Sequence, residues 1–195
     1  MSSFIEIGKI GSVALARRKF LTVGGVGLSG AAIALLAGRE SLAAATDKPM
    51  NPSNDVAILN SAIGAELEAI AAYEVGAKSG LLQPAVLKLA VTFQGHHKQH
   101  VDVLSGVVTK LGGKPVMAKE KYMFPVETLK VQADVLRFAA GLEKGAVSAY
   151  LGAVPLLHDR DLAKAAASIL GDEAMHWAVL RQALGEEPVP AAFVS

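Results

Sequence analysis

The segment from Ile169 to His176 places a carboxylate and an imidazole at a spacing that suits metal binding. It lies in a proline-free stretch, residues 159–184, whose apolar residues recur every three or four positions. Continuing this rhythm reaches Glu173 and then His176, so both side chains are expected on the buried face of one helix. An unpaired polar group in such a place costs roughly 2–7 kcal/mol. A metal ion would remove this cost, and Glu-x-x-His presents both ligands one helical turn apart.

Three further amphipathic segments have apolar faces that are interrupted at mid-length, and only by Glu or His. The interruption is Glu66 in the first segment, His97 and His100 in the second, and Glu143 in the third. Because these interruptions lie at similar depth, antiparallel packing of the segments would bring them to one centre. The sequence therefore predicts a metal centre with six candidate ligands: Glu66, His97, His100, Glu143, Glu173 and His176.

Some residues near this centre have other interpretations. Tyr73 and Tyr150 are interpreted as core or supporting residues rather than as redox groups. His96 with His100, four residues apart, is an alternative pair to His97 with His100. Imidazole and carboxylate ligands suit iron, manganese or zinc, and we take iron as the first candidate. The sequence does not decide whether a chain binds one ion or two.

Four helices must position these residues. Turn residues and prolines predict their bounds: Asn54–Lys78, Pro84–Leu111, a third helix from Glu127 or Thr128 to Val154, and Asp159–Leu184. Short turns join the first two helices and the last two, whereas residues 114–126 form one long connection. We therefore predict an all-α fold over residues 54–185: an antiparallel four-helix bundle made of two helical hairpins joined by a long crossover. Residues 186–195 are expected to be an extended tail.

The composition narrows the classes of function. The chain of 195 residues is 52% hydrophobic and 5% aromatic, which suits long packed helices better than a sheet. It has no cysteine, which excludes disulfides, thiolate metal sites and cysteine nucleophiles. The formal net charge of +1 gives no electrostatic reason to expect nucleic-acid binding.

The N-terminal residues have the layout of an export signal. Arg17 and Arg18 precede a glycine-rich apolar run that extends to Ala37, and Ser41–Ala45 offers a small-x-small cleavage site. The paired arginines resemble a twin-arginine signal, a route that carries folded proteins. We therefore predict a signal peptide over residues 1–45, cleavage near Ala45, a linker over residues 46–53 and a periplasmic or otherwise exported protein. If the signal is not cleaved, residues 20–37 would tether the protein to a membrane.

The two hairpins repeat one another. Glu66 and Tyr73 are seven residues apart, as are Glu143 and Tyr150. Glu66 precedes His100 by 34 residues, and Glu143 precedes His176 by 33. This repetition indicates a diverged duplication of one helical hairpin.

Several motifs resemble those of the ferritin-like di-metal carboxylate superfamily, and of bacterioferritin in particular. The resemblance covers residues 56–184 and rests on Leu59-Asn60-x5-Glu66-Leu67-x-Ala69-Ile70-x-x-Tyr73, on Leu142-Glu143 and on Ile169-Leu170-x-Asp172-Glu173-x-x-His176. It implies that Glu66 and His100 hold one ion, that Glu143 and His176 hold another, and that Glu173 bridges them. His97 departs from the family pattern, because the family has a bridging Glu there.

The departure at His97 leaves three carboxylates instead of four. The resemblance therefore implies either a single-metal site or an asymmetric dinuclear one. It implies an oxidase, ferroxidase or peroxide-consuming activity, with dioxygen or peroxide as reactant. Two alternatives remain: a non-enzymatic envelope or desiccation-related stress protein that uses the bundle as a structural module, and a membrane-tethered partner subunit. Homo-oligomerisation is also left open.

Overall fold

The structure, a computed structural model, describes residues 52–194 of the chain. All regular secondary structure in this part is helical. The four α-helices are α1 (Pro52–Lys78), α2 (Pro84–Lys110), α3 (Gln132–Ala153) and α4 (Arg160–Ala183). Single 3₁₀ turns occur at Val126–Thr128 and at Val154–Leu156.

The helices pair as two hairpins. α1 packs chiefly against α2, and α3 chiefly against α4, with smaller contacts from α1 to α3 and from α2 to α4. Residues 111–131 form the crossover between the hairpins. The predicted all-α bundle of two helical hairpins joined by a long crossover is therefore confirmed.

Local sequence signals set most helix ends. Gly80, Gly112 and Gly185 follow α1, α2 and α4 with φ of 72°, 79° and 75°, a left-handed conformation that glycine adopts without steric cost. At the start of α4, the Asp159 side chain accepts hydrogen bonds from two backbone N–H groups, as an N-cap residue does.

The start of α3 differs from the sequence-based prediction. The helix begins at Gln132 rather than at Glu127 or Thr128. Residues 126–128 instead form the 3₁₀ turn, after which the backbone is extended at Leu129. Asp134 Oδ2 then accepts hydrogen bonds from the N–H groups of Lys130 and Val131 at 3.0 and 3.1 Å. This carboxylate satisfies donors at the entrance to the helix and so fixes its start.

Two apolar clusters enclose the middle of the bundle. One includes Ile63, Leu104 and Ile169, and the other includes Phe93 and Leu180. Along each helix the polar core residues lie between these clusters. The apolar clusters therefore keep bulk water away from both ends of the polar centre.

The predicted signal peptide of residues 1–45 lies outside the described residues, as does most of the predicted linker of residues 46–53. Within the described part, the segment Asn54–Lys78 is long and apolar enough to cross a membrane by length and composition, with a mean hydropathy of 1.3. Core helices of soluble bundles pass the same test. The predicted tail has no regular secondary structure from residue 187 to residue 194.

Candidate metal centre

The bundle brings all six candidate ligands to one place. Five of them are at most 3% exposed to solvent, and the His100 side chain is 13% exposed. Their ligand atoms form two overlapping groups, within each of which all atoms lie within 4.8 Å of one another. The first group is Glu66, His97, His100 and Glu173, and the second is His97, Glu143, Glu173 and His176.

His97 and Glu173 belong to both groups and thus lie between the two halves of the centre. His97 Nδ1 is 2.8 Å from Glu66 Oε2, and its Nε2 is 3.4 Å from Glu143 Oε1. The imidazole therefore joins the α1 carboxylate to the α3 carboxylate. A carboxylate in this position could bridge two ions through two oxygens, whereas a neutral imidazole cannot.

The polar atoms of Glu173 and His176 indicate that this centre fits a metal ion. Both carboxylate oxygens of Glu173 and the Nδ1 atom of His176 are buried without a hydrogen-bond partner. Glu173 Oε1 lies 3.2 Å from His100 Nδ1, but the pair lacks hydrogen-bond geometry. Buried polar atoms are normally paired, because leaving one unpaired costs about 1–3 kcal/mol. A cation among these three atoms would satisfy all of them.

Two buried tyrosines hold the carboxylates of the opposite hairpin. The Tyr73 hydroxyl on α1 donates to Glu143 Oε1 on α3, and the Tyr150 hydroxyl on α3 donates to Glu66 Oε1 on α1 at 2.6 Å. Burial raises the pKa of both phenols, and the adjacent carboxylates raise it further. Both tyrosines therefore stay protonated and orient the carboxylates, which agrees with their interpretation as supporting residues.

The carboxylates differ in acidity. Burial raises the pKa of Glu66, but hydrogen bonds from His100, His97 and Tyr150 outweigh it and lower that pKa to about 2. The pKa of Glu143 is lowered in the same way, by hydrogen bonds that outweigh burial. Burial raises the pKa of Glu173, and the neighbouring Glu143 adds to this rise. In the metal-free protein the proton therefore resides most readily on Glu173.

The three imidazoles are held in the protonated form. Burial lowers their pKa, but contacts with the carboxylates outweigh it and raise the pKa of His97 to about 10 and those of His100 and His176 to about 9. Metal ions and protons compete for the same nitrogen atoms, so metal binding at neutral pH would release protons.

Two residues beside this centre were not among the six predicted ligands: His96, which the sequence offered only in an alternative pair with His100, and Asp172, which was named only as part of a motif. Asp172 Oδ2 lies 3.3 Å from His176 Nε2 and 3.4 Å from His100 Nε2. His96 Nδ1 lies 3.1 Å from the same Asp172 oxygen. The sequence contained a signal for Asp172, because it precedes His176 by four residues and therefore lies on the same face of the helix.

A further buried carboxylate, Asp55, is structural. It accepts hydrogen bonds from the backbone N–H groups of His158 and Asp159, and its Oδ1 lies 3.1 Å from His158 Nδ1. Its side chain thus fastens the turn before α4 to the start of α1. It belongs to none of the clusters described above.

The fold and this site define a four-helix bundle with carboxylates and imidazoles gathered in its core. The chain belongs to the ferritin-like domain family, whose model matches residues 54–186. This membership confirms the resemblance to the ferritin-like superfamily.

Two solved structures are similar to the chain. A conserved hypothetical protein from Mycobacterium tuberculosis is 26% identical, with a TM-score of 0.63, and the match covers 72% of this chain and 97% of that one. A dodecameric thioferritin, the bacterioferritin-related protein from Bacteroides fragilis, is 21% identical, with a TM-score of 0.61, and the match covers 70% of this chain and 87% of that one. Comparison with curated protein sequences gave no match.

Proposed function

We propose that the protein binds one or two transition-metal ions in the bundle core, with iron as the first choice and manganese or zinc as alternatives. The observation that carries this proposal is the set of three buried atoms without partners, Glu173 Oε1, Glu173 Oε2 and His176 Nδ1. They converge with further carboxylate and imidazole donors, the ligand types that these metals share.

The ligands divide between two positions. Glu66 and His100 would hold one ion, Glu143 and His176 the other, and Glu173 would contact both, as the two overlapping groups of donors suggest. His97 supplies no carboxylate, so the centre has at most three negative charges for two divalent ions. We therefore propose an asymmetric centre in which the first ion binds more tightly than the second.

Bound iron would supply one-electron chemistry toward dioxygen or peroxide, and we propose an oxidase, ferroxidase or peroxide-consuming activity on that basis. The chain's own residues prepare the site for such chemistry. Tyr73 and Tyr150 donate to Oε1 of Glu143 and of Glu66 and so orient both outer carboxylates. Glu66 Oε2 lies within hydrogen-bond distance of His97 and His100, so an ion bound there would replace these contacts. The apolar clusters on either side exclude bulk water, which strengthens the electrostatic interactions within the centre.

We further propose that the protein is exported to the periplasm, on the basis of the paired arginines at residues 17 and 18 and the apolar run that follows. Export of the folded protein would allow the metal to be chosen in the cytoplasm. The N-terminal sequence of the mature protein tests this proposal. A first residue near Thr46 supports it, and an intact N-terminus contradicts cleavage and favours the membrane tether.

A structural module without metal is the second candidate, and one observation favours it. Protonated His97 pairs with both Glu66 and Glu143, so much of the centre is electrostatically balanced without an ion.

A homo-oligomer is also proposed, because the Bacteroides fragilis relative is dodecameric and α2 exposes Val91 and Val103, which are 54% and 57% accessible. Light scattering coupled to size-exclusion chromatography measures the oligomeric state.

Elemental analysis of the full chain, purified after export from its native cell, separates the two candidates. We expect iron, manganese or zinc at one to two ions per chain, and consumption of dioxygen or peroxide by the loaded protein. Glu173→Gln is the matched variant, because it keeps the shape of the side chain and removes its charge. Less than about a tenth of an ion per chain in the wild type, together with no uptake from added iron, would favour the structural module.

A further inference from the structure

A second cluster of ligand-type residues lies at the surface between α2 and α4. It consists of His96, Asp172 and the outer nitrogen of His176. The side chains of His96 and Asp172 are 38% and 23% exposed. This cluster therefore faces solvent, unlike the buried centre behind it.

The three donor atoms of this cluster form a small triangle. His96 Nδ1 lies 2.9 Å from His176 Nε2 and 3.1 Å from Asp172 Oδ2, and Asp172 Oδ2 lies 3.3 Å from His176 Nε2. Ligands at about 2.1 Å from a metal ion are about 3.0 Å apart in octahedral and about 3.4 Å apart in tetrahedral coordination. The sides of the triangle fall at or near this range, so one ion could contact all three atoms with little movement.

The ring of His176 is oriented so that its two nitrogen atoms serve different places. Nδ1 points to the buried centre, where it lies 3.5 Å from Glu143 Oε1 and 3.4 Å from Glu173 Oε2. Nε2 points to the surface cluster. Phe93 stacks on the ring with centroids 3.9 Å apart, which holds this orientation. Either nitrogen is thus placed to bind an ion.

We propose that His96, Asp172 and His176 Nε2 form an outer metal site that binds one divalent first-row transition ion. Two imidazoles and one carboxylate suit zinc, cobalt, nickel or iron, and poorly suit calcium or magnesium. The exposure of His96 leaves room for water molecules to complete the coordination. The same distances would also fit a hydrogen bond in which one N–H is shared between His96 and His176. The experiment must exclude this alternative.

The outer site and the buried centre share His176 and therefore compete. A neutral imidazole has one nitrogen lone pair free for a metal, since its other nitrogen carries a proton. An ion on Nδ1 thus leaves Nε2 protonated as a donor to Asp172, and an ion on Nε2 leaves Nδ1 protonated. This competition rests on the proposed buried centre, whereas the outer site itself does not.

Cobalt(II) titration of the full chain tests the outer site, with its visible d–d absorption as the readout. Disabling the buried centre by Glu66→Gln with Glu143→Gln removes two of its carboxylates and keeps all three outer ligands. We expect this double variant to retain one cobalt ion per chain. Adding His96→Gln should lower the affinity for that cobalt ion at least tenfold. Adding Gln99→Ala on the exposed face of α2, as a matched control, should leave the affinity unchanged.

The possible results separate the two sites. Unchanged cobalt binding after His96→Gln would overturn the outer site, because the ion would then reside on the remaining buried ligands. Loss of all cobalt in the double variant would also overturn it, and would support the buried centre alone. A wild type and a double variant that bind cobalt identically, both through His96, would support the outer site and contradict the proposed buried centre.

A second measurement does not depend on how well the variants fold. Crystals of the wild-type protein prepared with one equivalent of cobalt should show an anomalous-scattering peak about 2.1 Å from His96 Nδ1, the usual distance for a first-row ion on imidazole. In crystals with excess cobalt, the occupancies of this peak and of a peak near His176 Nδ1 should sum to no more than one, because a neutral imidazole offers one nitrogen to a metal. Anomalous density confined to the buried centre at both ratios would refute the proposal.

Discussion

Replacing His97 by Glu should make the metal-free protein less stable and the metal-loaded protein better able to hold two ions. His97 is 1% exposed. Burial lowers its pKa, but the hydrogen bonds that its ring donates to Glu143 and Glu66 outweigh burial and raise the pKa to about 10. Against an unfolded value of about 6.5, protonation of this residue stabilises the fold at pH 7.5 by about 3 kcal/mol. The variant loses this contribution, which corresponds to a fall in Tm of roughly 10 °C for a domain of this size.

The metal-bound protein should respond in the opposite direction. Two divalent ions carry four positive charges, and Glu66, Glu143 and Glu173 supply at most three negative ones. One additional unit charge at 4 Å, with an effective dielectric constant of 20, is worth about 4 kcal/mol before desolvation is counted. Allowing for desolvation, we expect the second ion to bind at least tenfold more tightly, which corresponds to about 1.4 kcal/mol.

The assay combines calorimetric titration with iron(II) or zinc under anaerobic conditions and thermal unfolding with and without metal. His97→Gln is the control, because it also removes the positive charge but cannot bridge two ions. Both variants should lose stability without metal, and only His97→Glu should gain affinity for the second ion. Equal metal binding by the two variants would refute the charge argument, and unchanged stability in both would refute the assigned protonation of His97.

Three further predictions concern the hydrogen bonds, the pH dependence and the N-terminus. Tyr150→Phe should lower the free energy of unfolding by about 1–3 kcal/mol, because Glu66 loses a buried donor, and urea unfolding measures it; a change below 0.5 kcal/mol would contradict the hydrogen bond. Metal-free Tm should fall as pH rises from about 6.5 toward 9–10, since His97, His100 and His176 have raised pKa values and lose their protons there. It should also fall below about pH 4.5, because the lowered pKa values of Glu66 and Glu143 stabilise the fold only while these carboxylates are ionised. A Tm that is flat over this range would contradict these pKa values. A chain that starts at Thr46 should remain soluble and helical by circular dichroism, and aggregation would contradict the predicted signal peptide.

The sequence predicted the fold and the placement of the six residues because both depend on helical periodicity. Glu66 and Glu143 interrupt apolar faces at equivalent positions, and that pattern is visible without coordinates. The start of α3 was predicted wrongly because Asp134 caps it from within the helix, and a side chain that reaches back to Lys130 and Val131 leaves no periodic signal. Contacts between helices were also not predictable: the link from Tyr150 to Glu66 spans 84 residues.

His97 also explains why this centre is not symmetric although the two hairpins repeat one another. In the first hairpin His97 follows Glu66 by 31 residues, and in the second Glu173 follows Glu143 by 30, so the two residues occupy equivalent positions. The first hairpin therefore has a base at the position where the second hairpin has an acid, whereas two identical halves would have two acids. The base carries its own positive charge and lies between Glu66 and Glu143, where it offsets repulsion that a second carboxylate would increase. With His97 protonated and the other two imidazoles neutral, three carboxylates leave two negative charges, which one divalent ion would balance. This charge count is the physical basis for proposing an asymmetric centre.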